Sequence, residues 1–238
     1  MRSAHPVMVF DTGPIITLTL NNLSWMIPVL KRIYGGEFLI PAAVKKELVD
    51  KPLCTKKYKL EALQIIPFLN DGTLKLVDHS ETDALTEELA HDMNRIYYAK
   101  SHPVTIVHAG EIDAISCALQ RGADALVVDE RNTRYLIETP MRLCKRLEHK
   151  LHTKVTVDKD VLRKVRARLK GMRTIRTVEI ITVAYEMGLV DRYLNPASTH
   201  PRQDLLEALL WGVKLNGCAV QVAEIDEIMK LERASKDL

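Results

Sequence analysis

The sequence predicts an α/β fold in three layers, with a central, mostly parallel sheet flanked by helices and a helical C-terminal extension. Two observations predict it. Short β-branched runs alternate with helical periods through the first half of the chain, and only helical periods follow residue 157. With 238 residues, 47% of them apolar, the chain can bury a core large enough for one domain with an appendage.

The strands and helices are predicted from hydrophobic periodicity and from the turn residues between the runs. The predicted strands are Val7–Phe10, Glu37–Ile40, Thr73–Val77, Ala125–Val128 and Lys154–Val157. The predicted helices between them are Ile15–Leu20, Trp25–Tyr34, Ala42–Asp50, Lys57–Leu69, Thr82–Lys100, Glu111–Arg121 and Thr133–Leu151.

Four further helices are predicted after the last strand: Lys159–Lys170, Thr174–Met187, Gln203–Leu215 and Val220–Arg233. No repeat, low-complexity tract or flexible linker separates them from the first half. We therefore expect an α/β domain over residues 1–157 and a helical extension over 158–238 that packs on it.

Several classes of protein do not fit this composition. No apolar run reaches the roughly 18 residues that span a bilayer, and the opening MRSAHPVMVFDTG reaches an acidic residue too early for a signal peptide. The four cysteines form no CxxC pair, so we expect reduced thiols and no zinc site. We expect a cytoplasmic protein with no membrane partner.

Positive charge is concentrated in one segment. Residues 141–176 contain thirteen Lys or Arg against three acids, a net charge of +10, which leaves −7 for the rest of a chain whose total is +3. Such a block suits a phosphate-rich partner, but a solvated helix face gives the same pattern.

Acidic residues stand where an α/β sheet places its ligands, just beyond the carboxyl ends of strands. Asp11 follows the run VMVF, and Asp129 with Glu130 follows ALVV. Glu47 and Asp113 occupy early turns of two predicted helices. Asp11 or Asp129 alone fits a helix N-cap, but a parallel sheet would bring all four acidic positions to one edge.

Clustered carboxylates indicate a cation. At 4 Å two carboxylates repel by about 4 kcal/mol at an effective dielectric near 20, and Mg²⁺ or Mn²⁺ accepts oxygen ligands of this kind. A metal-activated water would then suit the hydrolysis of a phosphodiester. Glu111 and Asp113 are two residues apart, so one helix cannot direct both at the same point.

Four stretches resemble the acidic motifs of PIN-domain nucleases, in that family's order: VFDTGPIITL, PAAVKKEL, AGEIDAISCAL and LVVDERNTR. The resemblance is greatest to the VapC-like ribonuclease branch, which has a GE-x-[DE]-A third motif. TVEIITVAYEMGLV and DLLEALLWGVKLNG also resemble that branch's helical tail. The likeness is strong to about residue 138 and weak beyond residue 153.

The resemblance implies a PIN fold that binds Mg²⁺ or Mn²⁺ and cuts RNA as an endoribonuclease. The residues matching the family's catalytic and metal-binding acids are Asp11, Glu47, Asp113 and Asp129. Secondary candidates are Thr12, Glu111, Glu130 and Arg134, with Glu130 the alternative to Asp129 as fourth acid. Gly13 replaces the serine often found there. A small antitoxin protein and a homodimer are the partners that relatives suggest.

An RNA-facing surface is expected on the predicted helix Lys159–Lys170, which is longer than the usual connection in that branch. Its apolar stripe Leu162, Val165 and Leu169 would pack on the core. The outward cations would then be Arg163, Lys164, Arg166 and Lys170.

Three other interpretations compete. A haloacid-dehalogenase phosphatase also starts with a strand ending in Asp, but it needs a second Asp where this chain has Gly13. A PIN-like RNA-binding or scaffolding protein would keep the fold without turnover. An RNA-processing enzyme would share the chemistry of a toxin in another setting, and the extended basic segment favours it slightly.

Overall fold

The computed structural model describes residues 6–77 and 83–234. Its strands are β1 (Val7–Phe10), β2 (Glu37–Pro41), β3 (Lys75–Val77), β4 (Tyr97–Ala99), β5 (His102–Pro103), β6 (Ala125–Val127), β7 (Val155–Val157) and β8 (Thr174–Ile175). Its helices are α1 (Thr12–Leu20), α2 (Met26–Tyr34), α3 (Ala42–Lys45), α4 (Lys51–Leu53), α5 (Lys59–Asn70), α6 (Asp83–Met93), α7 (Ala109–Arg121), α8 (Arg131–Glu138), α9 (Pro140–Leu151), α10 (Lys159–Arg168), α11 (Thr177–Glu186), α12 (Pro201–Leu215) and α13 (Val222–Ala234).

The central sheet has five strands in the order β3-β2-β1-β6-β8, and every pairing in it is parallel. Val9 of β1 is in register with Leu39 on one side and Leu126 on the other. All three side chains are buried, as expected for strands covered by helices on both faces. The predicted α/β fold with a parallel sheet is confirmed.

A second, antiparallel sheet in the order β5-β4-β7 was not predicted. The helix expected over Thr82–Lys100 ends at Met93, because Tyr97 and Tyr98 belong to β4. Lys100 and Ser101 both have positive φ, which reverses the chain into β5. The strand expected at 154–157 exists as β7, but it pairs with β4 and not with the central sheet.

Two predicted helices are divided. The one over 133–151 breaks at Thr139, whose extended φ of −143° is imposed by the following Pro140, and α9 starts at that proline. The one over 42–50 is α-helical only to Lys45, continues as a π turn over Lys46–Asp50, and runs into α4. Glu47 lies in that π turn.

Residues after 157 contribute to the central sheet as well as to helices. The predicted helix over 174–187 starts with a strand, β8, that pairs with β6, and only then continues as α11. Ile181 of α11 and Leu210 of α12 lie in one hydrophobic core with Ile15 and Leu18 of α1. The opposite face of the sheet has its own core around α6, α7 and α9. No helix in the described ranges is long and apolar enough to cross a membrane.

Candidate active site

Asp11 lies at the carboxyl end of β1 and at the N-cap position of α1, with 5% of its surface exposed. Its backbone N–H donates to the carbonyl of Val127 on β6 (2.9 Å). The carboxylate makes no cap hydrogen bond of normal geometry, although the N–H groups of Thr12 and Gly13 lie near it. Asp11 therefore does not act as a simple N-cap of α1.

Burial and neighbouring negative charge raise the pKa of Asp11 to about 7. Desolvation is the larger cause, followed by the charge of Glu111 and, more weakly, that of Glu47, while the N–H groups of Thr12 and Gly13 oppose the rise. A buried aspartate that is hard to ionise next to two other acids is the electrostatic signature expected of a cation-binding site.

Glu47 reaches the same edge from the π turn after β2. Its Oε2 accepts a hydrogen bond from the Thr12 hydroxyl (2.9 Å), which ties the start of α1 to Glu47. Gly110, in the first turn of α7, packs against this carboxylate: a Cβ there would lie 3.1 Å from both Oε atoms. The glycine of the Gly-Glu motif thus leaves the space that Glu47 occupies.

Glu111, a secondary candidate from the sequence, lies beside Asp11 and Glu47. Its Oε2 accepts the backbone N–H of His108 (2.6 Å), so it also stabilises the start of α7. Its pKa is raised to about 7 by burial first and then by the charges of Glu130 and Glu47, against the hydrogen bond from His108. These electrostatic effects indicate that Asp11, Glu47 and Glu111 lie near one another.

Asp113 is turned to a different group. It is 1% exposed, and its Oδ2 accepts the backbone N–H of Ala43 (3.1 Å) in the first turn of α3. Ala43 stands one helical turn before Glu47, so this bond fixes the segment on which Glu47 is presented. The two acids of α7, Glu111 and Asp113, therefore face different partners.

Asp129 follows β6 and is 3% exposed. Its Oδ1 accepts the backbone N–H of Thr177 (2.7 Å), and its Oδ2 accepts the hydroxyls of Thr177 (2.7 Å) and Thr17 (3.1 Å). The buried thiol of Cys218 lies beside it, and burial together with the charge of Asp129 raises the pKa of that thiol. Both carboxylate oxygens thus hold the C-terminal segment against β6 and α1.

The remaining candidates lie around this edge. Glu130 is exposed and caps α8 by accepting the N–H of Asn132 (3.3 Å). The Arg134 guanidinium lies over the ring of Tyr135 at 5.6 Å, with Nε 3.9 Å from Glu138.

Two of the four cations proposed on α10 have acidic partners. Arg163 pairs with Asp160 (3.1 Å), and Lys164 pairs with Glu88 (3.0 Å) and Asp92 (2.8 Å) of α6. Val165 and Leu169 are buried, as their stripe predicts. The Lys164 pairs attach α10 to α6, whereas the Arg163 pair lies within α10.

The donor chemistry at the sheet edge fits a hard divalent ion, because every candidate ligand is a carboxylate oxygen. In the described part of the chain, no three Asp, Glu, His or Cys side chains converge closely enough to hold a metal in their present rotamers. Two of the acids are engaged by Thr12 and His108. Burial raises the pKa of Asp11 and of Glu111, and so does the charge of neighbouring acids, which a bound cation would offset.

A cleft of about 860 Å³ opens beside Glu47 and Asp113. The segment α3–α4 forms one wall and α6 the other, and Lys46 and His108 are among the polar residues that line it.

The model of the family described as DUF3368: PIN domain matches residues 7–139, more than half of the chain, from β1 through α8. No curated protein matches the chain. The matched region contains Asp11, Glu47, Glu111, Asp113 and Asp129. The sequence indicated these acids only by their positions at the ends of strands and helices. That pattern could not show that the charge of Glu111 acts on Asp11.

Proposed function

Since this chain belongs to the PIN-domain family, we propose that it is a Mg²⁺- or Mn²⁺-dependent endoribonuclease of the VapC-like kind. The observation that supports the proposal is the buried acidic group at the carboxyl edge of the sheet, where Asp11, Glu47 and Glu111 act on one another electrostatically. The substrate is RNA, and the bond cleaved is a phosphodiester.

In this proposal Asp11 and Glu47 bind the metal, because the motif match and the electrostatic effects both support them. Glu111 is the third in this proposal, because its charge acts on Asp11 while Asp113 is engaged by Ala43. The bound ion would activate a water as nucleophile and neutralise charge on the phosphate. At neutral pH Asp11 and Glu111 retain protons that they would release on binding it.

Several residues then position these acids. The Thr12 hydroxyl orients Glu47, Gly110 gives that carboxylate room, and Asp113 fixes the start of α3. Asp129 holds α1 and α11 against the end of β6. The N-terminus of α1 directs its dipole toward the anionic edge, which also favours a bound phosphate.

The assignment to the VapC-like branch rests on the third motif, Gly110-Glu111-x-Asp113-Ala114, for which the structure supplies a physical reason in the clearance at Gly110. With that branch comes the proposal of a toxin that pairs with a small antitoxin protein and forms a homodimer. Co-expression with a small neighbouring reading frame would test the pairing: a toxin is tolerated by cells only with its antitoxin, whereas an RNA-processing enzyme is tolerated alone.

One observation favours the alternative of an RNA-binding protein without turnover. Glu47, Glu111, Asp113 and Asp129 all accept hydrogen bonds from other parts of the chain. These bonds give each acid a structural role, as a scaffold would need, whereas catalysis requires Glu47 and Glu111 also to contact a metal with a carboxylate oxygen.

The test is cleavage of a labelled single-stranded RNA by the purified chain with Mn²⁺ or Mg²⁺, with EDTA as the metal-free arm. Asp11→Asn should remove cleavage, while Glu207→Gln, an exposed acid on α12, should leave it unchanged. Cleavage that persists in EDTA, or an Asp11→Asn variant as fast as the wild type, would refute the proposal. Tight RNA binding without any cleavage would establish the scaffold alternative.

A further inference from the structure

Helix α9 exposes a continuous basic face. At 100° per residue, five of its side chains fall within an arc of about 140°. They are Arg142, Lys145, Arg146, His149 and Lys150, and we call them the α9 basic face. The opposite side of the helix, with Leu143, Cys144 and Leu147, is buried in the core. The helix therefore has one face for packing and one entirely for solvent or a partner.

Ion pairs among the described residues do not use the charge of this face, although the Arg142 guanidinium lies 5.9 Å from the centre of the Tyr135 ring. Within the described ranges, no acidic oxygen lies within 4 Å of Arg142, Lys145, Arg146 or Lys150. Glu148 is the one acid of α9, and its Oε1 accepts the backbone N–H of Val155 (3.1 Å).

The comparison with α10 is informative, because both helices come from the same basic segment. On α10 the cations Arg163, Lys164 and Arg168 all pair with acids. Three cations of α10 thus have acidic partners within the described ranges, whereas Arg142, Lys145, Arg146 and Lys150 of α9 have none.

The α9 basic face is connected to the acidic edge by direct contacts. Arg146 Nε donates to Oδ1 of Asn132 (3.3 Å), and the backbone N–H of Asn132 donates to Oε1 of Glu130 (3.3 Å). Glu130 lies close enough to Glu111 for its charge to act on that carboxyl. From Arg146 the remaining cations extend along a helix about 18 Å long. The path thus runs from the proposed cleavage site over the start of α8 and onto α9.

We infer that the α9 basic face binds the phosphates of the single-stranded RNA whose scissile bond lies at the acidic edge. The inference rests on the proposed function, since that supplies the position of the RNA. A row of Lys and Arg without acidic partners begins next to the proposed cleavage site. Such a row can bind the phosphates of a polyanion that lies across the site and the helix. The RNA surface is thereby assigned to α9 in preference to α10.

Two triple variants with the same charge change test this assignment. Arg142→Gln/Lys145→Gln/Lys150→Gln alters the α9 basic face, and Arg163→Gln/Arg166→Gln/Lys170→Gln is the matched control on α10. All six side chains are exposed, so both proteins should fold, which a thermal melt confirms. Binding of a fluorescent single-stranded RNA is measured by anisotropy in EDTA, over a series of salt concentrations.

The α9 variant should bind roughly 30- to 100-fold more weakly near 0.1 M salt, and the slope of log K against log salt should flatten by about 2, since each lost single-strand contact contributes about 0.7. The α10 control should stay within about threefold of the wild type. Equal losses in the two variants, a larger loss in the α10 control, no RNA binding by the wild type, or equally good competition by polyglutamate would each overturn the inference.

Cleavage with Mn²⁺ is measured separately. The α9 variant should show a raised KM with kcat unchanged, because the acids are untouched. If the wild type binds RNA through α9 but cuts nothing, the proposed nuclease function fails and the binding surface stands.

Discussion

Asp129 and Thr177 are joined by two hydrogen bonds of 2.7 Å, one to each carboxylate oxygen, across 48 residues of sequence. The Thr17 hydroxyl adds a third bond to the same carboxylate. Asp129 stands at a motif position of a metal ligand. Its carboxylate accepts the hydrogen bonds that join β6, α1 and α11. Its contribution to folding can be separated from any contribution to metal binding.

Asp129→Ala should lower the free energy of unfolding of the metal-free protein by about 3 kcal/mol, because the N–H and the hydroxyl of Thr177 would be buried without an acceptor. The Thr17 hydroxyl would keep the carbonyl of Asn216 as its acceptor (3.2 Å). Asp129→Asn keeps an acceptor for the Thr177 N–H and should lose less. Urea denaturation in EDTA measures both. If Asp129 acts mainly as a metal ligand, the alanine variant will be as stable as the wild type in EDTA and weaker only with Mn²⁺.

Asp11→Asn should abolish RNA cleavage and stabilise the metal-free protein at pH 8. The amide removes a buried negative charge that Glu111 and Glu47 oppose, with a gain of about 1–3 kcal/mol. Thermal melts in EDTA at pH 8 check the stability, and the RNA assay checks the activity. A variant less stable than the wild type at pH 8 would show that Asp11 has a stabilising partner.

Metal-free stability should fall as the pH rises from about 5 to 8. The folded-state pKa values of Asp11 and Glu111 are near 7, above their ordinary values of 3.8 and 4.5, so the folded protein binds these protons more tightly than the unfolded chain does. This contribution is complete below about pH 4 and is lost as the pH passes through 7.

The measurement compares unfolding of the wild type with that of an Asp11→Asn/Glu111→Gln variant across this range, so that other titrating groups cancel. Mn²⁺ should reverse the trend and release protons on binding, which calorimetry in buffers of different ionisation enthalpy detects. An identical pH dependence in the two proteins would contradict the assignment of these groups.

Asp113 and Glu111 can be distinguished by isosteric substitution. Asp113→Asn keeps an oxygen for the Ala43 N–H and should retain Mn²⁺ binding, with kcat within about tenfold of the wild type. Asp113→Ala loses that bond and should reduce kcat by a further tenfold or more through Glu47. Glu111→Gln should weaken Mn²⁺ binding itself. Loss of Mn²⁺ binding in Asp113→Asn, with Glu111→Gln unaffected, would instead make Asp113 the ligand, as the motif resemblance implies.

Gly110→Ala should reduce kcat by about 10- to 100-fold with little loss of stability. The new methyl group would lie 3.1 Å from both Oε atoms of Glu47 and displace them by a few tenths of an ångström. Gly13→Ala is the matched control, because its Cβ would meet Asp129 at 3.5 Å and Asp11 at 3.7 Å, which are ordinary contacts. Steady-state kinetics on RNA and urea melts separate the two effects. Equal activity in the two variants would show that Glu47 can move freely.

The sequence by itself determined four of the five strands of the central sheet, and its acidic edge. Apolar β-branched runs such as those ending at Phe10 and Val127 are local signals, and parallel pairing then places Asp11 and Asp129 at the same edge. It also determined that Glu111 and Asp113 could not face one point, because helix geometry is local too.

The tertiary structure decided what depends on partners distant in sequence. Strand β4 exists through pairing with β7, about sixty residues later, so a helical period extending into Tyr97 was misleading. Asp129 is occupied by Thr177, which no motif near residue 129 could reveal. The sequence favoured α10 as the RNA-facing helix, and only the structure places Glu88 and Asp92 against its cations. A charge run in sequence does not show which charges are neutralised in space.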